Sequence, residues 1–236
     1  MTRRPSVTDR LPAVVGAAVQ VFADKGYKAT QMADVAAALG MGAGSLYNYV
    51  ETKEVLFALC LEHLMHQGPP DQVTLPLAAP ALDLTLQRLR EHAERALQLP
   101  MLSAAALGTG PPGGAEAELA AVVTELYELL SRTRQLSDMI ERSARDIPAL
   151  AWIFLHEWRA PLLTRLETYL ESRIDAGQLR PVADNRIAAR FVVETVGWFA
   201  RHRFHDPDAR GLDESATKAT VVDLIVAAFL PREQPR

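Results

Sequence analysis

The stretch Thr30-Gln31-Met32-Ala33-Asp34-Val35-Ala36-Ala37-Ala38-Leu39-Gly40-Met41-Gly42-Ala43-Gly44-Ser45-Leu46-Tyr47-Asn48-Tyr49-Val50 decides the fold, together with the run from Glu51 to Leu56. Val35, Ala36 and Leu39 share one face of a short helix over residues 31–38. Gly40 follows where a left-handed cap is needed, a conformation glycine accepts at little cost. A second short helix over residues 43–49 can pack Met41, Leu46 and Tyr49 or Val50 against the first. Two short helices joined by a tight Gly-bearing turn have the shape that lays the second helix in the major groove of DNA.

Working outward, the same helical periodicity recurs almost everywhere. Upstream, residues 9–25 read as a helix ending at Gly26, with Val15, Ala18 and Phe22 at i, i+3 and i+7. Arg3 and Arg4 before this apolar run imitate a short export signal, but Gln20 interrupts the run and the helical reading is preferred. Downstream, Thr52 is a good N-cap for a helix reaching His66. Further helices are expected over 81–99, over 115–143 with a kink or break, over 149–176 divided near Pro161, over 185–204 and over 215–230. Two Gly/Pro-rich stretches, Gly68–Pro80 and Gly108–Gly114, read as loops, the second a mobile one. Period-2 strand patterns are missing. The expectation is an all-α protein. An N-terminal three-helix DNA-binding domain with a helix-turn-helix occupies residues 1–50, and a linking helix follows at 51–66. A larger helical ligand-binding and dimerisation domain fills 67–236.

Composition agrees. The chain has 236 residues, 49% hydrophobic and 23% charged, which suits a folded soluble protein. Ala occurs 37 times, favouring helix, so the 15 Pro belong at helix ends and in loops. The net charge of −4 excludes a chain-wide basic footprint, although residues 1–56 carry +1 and the remainder −5. Cys60 is the one cysteine, which rules out an internal disulfide and a Cys-rich zinc site and fits a cytoplasmic protein. No run approaches the ~18 apolar residues of a membrane helix, so no membrane partner is expected.

The ordered set Val14-Val15, Ala17-Ala18, Phe22, Gly26, Thr30, Val35-Ala36, Gly40-Met41, Gly44-Ser45-Leu46-Tyr47, Lys53-Glu54 and Leu56 closely resembles the N-terminal region of TetR-family transcriptional regulators. About 50 residues carry the resemblance. It departs at Gly42, where the family usually has a capping Ser or Thr, and at Val50, where it usually has Phe. The resemblance implies a regulator, most often a repressor, that binds a near-palindromic double-stranded DNA operator as a homodimer. It implies that Gly42, Ala43, Gly44 and Ser45 meet the groove, with Asn48 one turn on able to pair with adenine. Tyr47 and Tyr49 would offer hydroxyls to phosphates, and Lys53 its charge. Thr30, as N-cap of the second helix, would serve the opposite backbone. Arg3, Arg4 and Arg10 could form an arm on phosphates. With no Arg or Lys in the recognition helix, readout should lean on hydroxyls, van der Waals contact and DNA shape. Read without the resemblance, Tyr47 can be core, Lys53 a solvated charge and Asn48 a water-facing amide.

The resemblance also implies a body that dimerises and holds a small, mostly apolar effector. Residues 160–176 and 185–204 are each apolar on two sides, so one side can face a partner. Met101, Tyr127, Trp152, His156, Glu157, Trp158 and Trp198 are the candidate effector-binding residues. His63/His66 and His202/His205 have metal-ligand spacing but lack completing ligands, so neither metal nor cofactor is expected. No nucleophile elbow, His-Glu-x-x-His helix or phosphate-binding loop marks an enzyme. The rival reading is an all-helical adaptor or ligand-binding protein whose head has lost DNA binding.

Overall fold

A computed structural model describes residues 7–66, 75–77, 82–108 and 113–231. The arm residues Arg3 and Arg4 lie outside these, as do residues 68–74, 78–80 and 109–112 of the two expected loops. The helices are α1 (Val7–Ala29), α2 (Met32–Ala38), α3 (Lys53–His66), α4 (Leu82–Ala96), α5 (Pro100–Ala106), α6 (Gly114–Arg132), α7 (Arg134–Ser143), α8 (Pro148–Trp152), α9 (Ala160–Asp175), α10 (Asn185–Ala200) and α11 (Glu214–Phe229). Short 3-10 segments span Ala43–Asn48 and His202–His205, and a π-helical stretch spans Ile153–Arg159. No strand occurs among the described residues; Val50 and Leu77 form an isolated parallel bridge. None of the described helices is long and apolar enough to cross a membrane.

The chain packs as two compact units: residues 1–94 with 135–157, and residues 95–134 with 158–236. Residues 135–157 join the N-terminal unit because the end of α7 is hydrogen-bonded to the end of α1: Tyr27 N–H donates to Ser143 Oγ at 3.1 Å and Lys28 N–H to Asp146 Oδ2 at 3.0 Å.

In the first unit, Leu11, Val14, Val15, Ala18, Val19 and Phe22 bury one face of α1 against Leu56, Phe57 and Leu61 of α3. Phe22, Tyr27 and Phe57 form an aromatic trio, with Phe57 edge-on to both partners at 5.0–5.1 Å. The helical path of α1 breaks at Gly26 (φ 78°, ψ 173°), the residue where the sequence expectation ends the helix, and a short helical turn continues to Ala29.

In the second unit, Leu119, Val123, Leu126 and Tyr127 of α6 meet Leu166 and Leu170 of α9, Val192 and Val196 of α10 and Ile225 of α11. The expected helix over 115–143 is broken at Thr133, whose hydroxyl donates to Leu129 O at 2.8 Å. α5 was not expected. It starts after Leu99, held at φ 37°, and its first amides are capped from α6: Met101 and Leu102 N–H donate to the Glu125 carboxylate at 2.9 and 3.0 Å. Near Pro161 the chain answers the missing amide by widening to π geometry over the preceding seven residues.

Candidate nucleic-acid interface

The reading segment is Ala43–Asn48, a 3-10 helix rather than the expected α-helix. Its composition explains the short, tight form. Gly42 stands at the N-cap with no side chain to accept an amide, and Gly44 lowers helix propensity by about 1 kcal/mol relative to Ala. At the far end the backbone is tethered sideways, with Leu77 N–H donating to Tyr49 O at 2.8 Å and Glu51 N–H to Leu77 O at 3.3 Å.

In a 3-10 helix residues i and i+3 eclipse, so the segment has three rows. Leu46 and Tyr49 form the inward row, 0% and 4% exposed. Gly44 and Tyr47 form an outward row, with Tyr47 51% exposed. Ser45 and Asn48 form the other, half-buried and exposed respectively. Gly42 and Ala43 are exposed at the start. The structure thus brings Gly42, Ala43, Gly44, Ser45, Tyr47 and Asn48 to one open surface.

Three of the expected contact residues are engaged within the head itself. Tyr49 belongs to the core. Thr30 is not the N-cap of α2; Gln31 is. The Thr30 side chain is fully buried and its hydroxyl donates to Gly26 O at 2.7 Å, closing the end of α1. The half-buried Lys53 turns its ammonium onto the head's own backbone. Its Nζ donates to Tyr27 O and Thr30 O, both at 3.0 Å, and lies 4.6 Å from the centre of the Tyr27 ring. It satisfies the carbonyls that α1 leaves open at its C-terminal end, where a cation is favoured. The neighbouring Glu54 accepts from the Tyr27 hydroxyl at 2.7 Å. Burial, then this carboxylate, pushes the Tyr27 phenol above its usual range, and the same bond holds Glu54 below the ordinary carboxylate range.

The start of α2 is fixed by Asp34. Its carboxylate accepts from Gln31 N–H at 2.8 Å and pairs with Lys25 at 2.8 Å, and these partners, Lys25 foremost, lower its pKa. Lys28 stands exposed at the α1–α2 turn. It is a cation beside the head that the sequence reading passed over; its position next to the Gly26 break was the available signal. Arg10 is exposed on α1.

The seven candidate effector residues divide between the units. In the first, Trp152 is 57% exposed and stacks on His156 with ring centres 4.2 Å apart, while Glu157 pairs with Arg90 Nε at 3.1 Å. In the second, Tyr127 is fully buried, Trp158 is half-buried, and Met101 and Trp198 are partly exposed. The second unit has an open apolar groove of about 420 Å³ between α10 and α11, lined by Phe191, Thr195, Phe199, Val221 and Leu224 among others and by none of the seven. Among the described residues no group of three or more His, Cys, Asp or Glu could hold a metal ion.

The two segments expected at a dimer surface differ in what they leave open. The apolar residues of α9 (Leu162, Leu166, Tyr169 and Leu170) are consumed in the unit's own core, and its open face carries Thr164, Thr168, Glu171 and Ser172. The uncovered apolar face runs instead over α10 and α11, with Ile187, Phe191, Trp198, Leu212 and Leu224 all exposed.

A family model described as bacterial regulatory proteins, tetR family, matches residues 14–60. No curated protein matches the chain. Among solved structures, the ketosteroid transcriptional regulator KstR2 of Mycobacterium tuberculosis is similar with a TM-score of 0.56 and 16% identity, over 96% of this chain and 98% of that one. A tetR-family regulatory protein from Rhodococcus RHA1 is similar with a TM-score of 0.52 and 20% identity, over 97% of this chain and 100% of that one. AibR in complex with isovaleryl coenzyme A and operator DNA reaches a TM-score of 0.50 at 20% identity, over 94% and 98% of the two chains. At these identities the likeness is one of fold, and it extends the helical order well beyond the matched head. Residues 14–60 thus match the N-terminal domain of bacterial regulatory proteins of the tetR family, and the helical order of the whole chain is similar to solved structures of that fold.

Proposed function

We propose that this protein is a ligand-responsive transcriptional regulator that binds a near-palindromic operator as a homodimer and acts as a repressor released by a small, mostly apolar effector. The observation that carries this is the three-row sorting of residues 44–49. One row anchors the segment in the head, and the other two stand open with small and polar groups that let a groove approach closely. Ser45, Tyr47 and Asn48 supply hydroxyl and amide contacts, and Gly42, Ala43 and Gly44 supply close backbone approach and methyl contact. Lys28 and Arg10 add exposed charge for phosphates. AibR, with its acyl-coenzyme A and operator DNA, is a precedent for the pairing of effector and DNA in this fold.

The uncovered face of α10 and α11 is the proposed dimer surface. A pair of heads held there would meet half-sites about 34–36 Å apart, or a multiple of that spacing. Selection from a random duplex pool tests the whole reading: enrichment of an inverted repeat is expected. Enrichment of nothing favours the adaptor and overturns the regulator. A thermal-shift screen of small apolar acids and their thioesters tests the effector, with loss of operator binding as the required response.

A further inference from the structure

The chain leaves the second compact unit after Arg134 and re-enters it at Trp158; the residues between pack with the head. The tip of this excursion, residues 142–146, grips the turn between α1 and α2. Tyr27 N–H and Lys28 N–H directly follow the break at Gly26, where the helical ladder is interrupted, and such donors need other partners. Ser143 Oγ takes the first at 3.1 Å and Asp146 Oδ2 the second at 3.0 Å. Gly26 lies so close to the tip that a Cβ there would stand 2.8 Å from the Arg142 carbonyl oxygen. On its other side the same turn is held by Lys53 and Glu54 at the start of α3. The reading segment hangs from this clamped turn: Thr30 ties back to Gly26 O, α2 follows at once, and α2 packs on residues 43–48.

We propose that Ser143 and Asp146 are positioning residues for DNA reading. They fix where the α1–α2 turn stands, so a shift of the excursion moves the reading segment although no residue of the excursion touches DNA. The far end of the excursion suits such a lever. Its π-helical stretch, a geometry frequent at functional sites, is pinned to α4 by Glu157 and Arg90. This inference rests on the DNA-binding reading above.

Asp146 is exposed, so truncating it opens no cavity. The test compares Asp146→Ala with Asp146→Asn, which keeps an acceptor oxygen but not the charge. The first readout is affinity for the selected operator, and the second is hydrogen exchange of the Tyr27 and Lys28 amides without DNA. One ordinary hydrogen bond corresponds to about a fivefold change in an equilibrium constant, so up to about 25-fold weaker binding is expected for a dimer of Asp146→Ala. Asp146→Asn should stay within about twofold of wild type. Removing an acidic charge acts in the opposite direction, strengthening attraction to phosphates in both variants. The Lys28 amide should be protected in the wild type and in Asp146→Asn and exchange faster in Asp146→Ala. Equal affinity of all three proteins, equal weakening of both variants, or a rapidly exchanging Lys28 amide in the wild type would overturn the positioning role alone. A wild type that selects no DNA sequence would overturn the DNA reading and the positioning role with it.

Discussion

Lys53 separates two physical accounts of the head, and Lys53→Met is the perturbation that does so, since Met keeps the alkyl stem over the Tyr27 ring. In the structure the ammonium makes two hydrogen bonds of 3.0 Å to carbonyls at the end of α1. A hydrogen bond from a charged donor contributes about 1.5–3 kcal/mol when well shielded. Lys53 is only half-buried, so solvent screening reduces the pair to about 1–2 kcal/mol in total. For a chain of this length that is a fall in Tm of about 3–6 °C. The salt dependence of operator binding should be unaltered. If Lys53 instead neutralised one phosphate per head, its loss would flatten the slope of log affinity against log salt by about 1.8 for a dimer. The assay is fluorescence anisotropy on labelled operator across a salt series, beside thermal unfolding followed by circular dichroism. A slope flattened by about 1.8 with an unmoved Tm would refute the capping role.

Other substitutions test the body. Arg203 is 1% exposed and donates to Phe199 O at 2.7 Å, to Leu212 O at 3.0 Å and to the Glu214 carboxylate, so it ties the connection between α10 and α11 together. Arg203→Met strands those carbonyls. Glu214 is half exposed and can turn to water, so the cost sits at the lower end for a broken buried pair, about 3 kcal/mol, read as a drop in denaturation midpoint. Phe191→Glu or Leu224→Glu should convert a dimer to a monomer in light scattering, whereas Thr164→Glu on the open face of α9 should not; dimers surviving both of the first two changes would move the interface elsewhere. Burial first, then Glu214, pushes the Tyr127 phenol up to about 12 from its ordinary 10.0. The fold therefore favours the neutral phenol. Its contribution to stability is complete below pH 10 and is lost as pH rises from 10 to 12, so Tyr127→Phe should flatten the alkaline limb of a stability-against-pH curve.

Most of the fold was legible because helical periodicity is a property of neighbours in sequence. Val15, Ala18 and Phe22 show their spacing whatever lies opposite, and all three are buried. What spacing cannot show is which neighbour takes a face. Residues 160–176 have apolar groups on two sides, which fits a dimer surface equally with a helix packed on both sides; here α10 and α5 pack on α9. α5 went unseen because its stop signal is not in its own residues. Leu99 in a left-handed turn and the Glu125 carboxylate from α6 define it. Lys53 has two readings for the same reason: nothing in its spacing shows the carbonyls of Tyr27 and Thr30, 26 and 23 positions away, that its ammonium reaches.

The two tyrosines of the reading segment are a different matter, because there the sequence held the answer. Tyr47 and Tyr49 are two residues apart. That places them about 200° apart around an α-helix and about 240° apart around a 3-10 helix. Under either geometry they cannot both face one duplex. Leu46 settles which turns inward: Tyr49 lies three positions after it, on the same side of the helix, while Tyr47 lies about 100–120° away. A head that buries Leu46 must draw Tyr49 in with it and leave Tyr47 out, as the 4% and 51% exposures record. Had the helix been α rather than 3-10, Tyr49 would have stood about 60° from Leu46 and kept part of its edge in solvent. The two glycines that weaken this helix, Gly42 and Gly44, thus favour the tighter geometry that turns Tyr49 fully inward and leaves Gly44–Tyr47 and Ser45–Asn48 as the two outward rows.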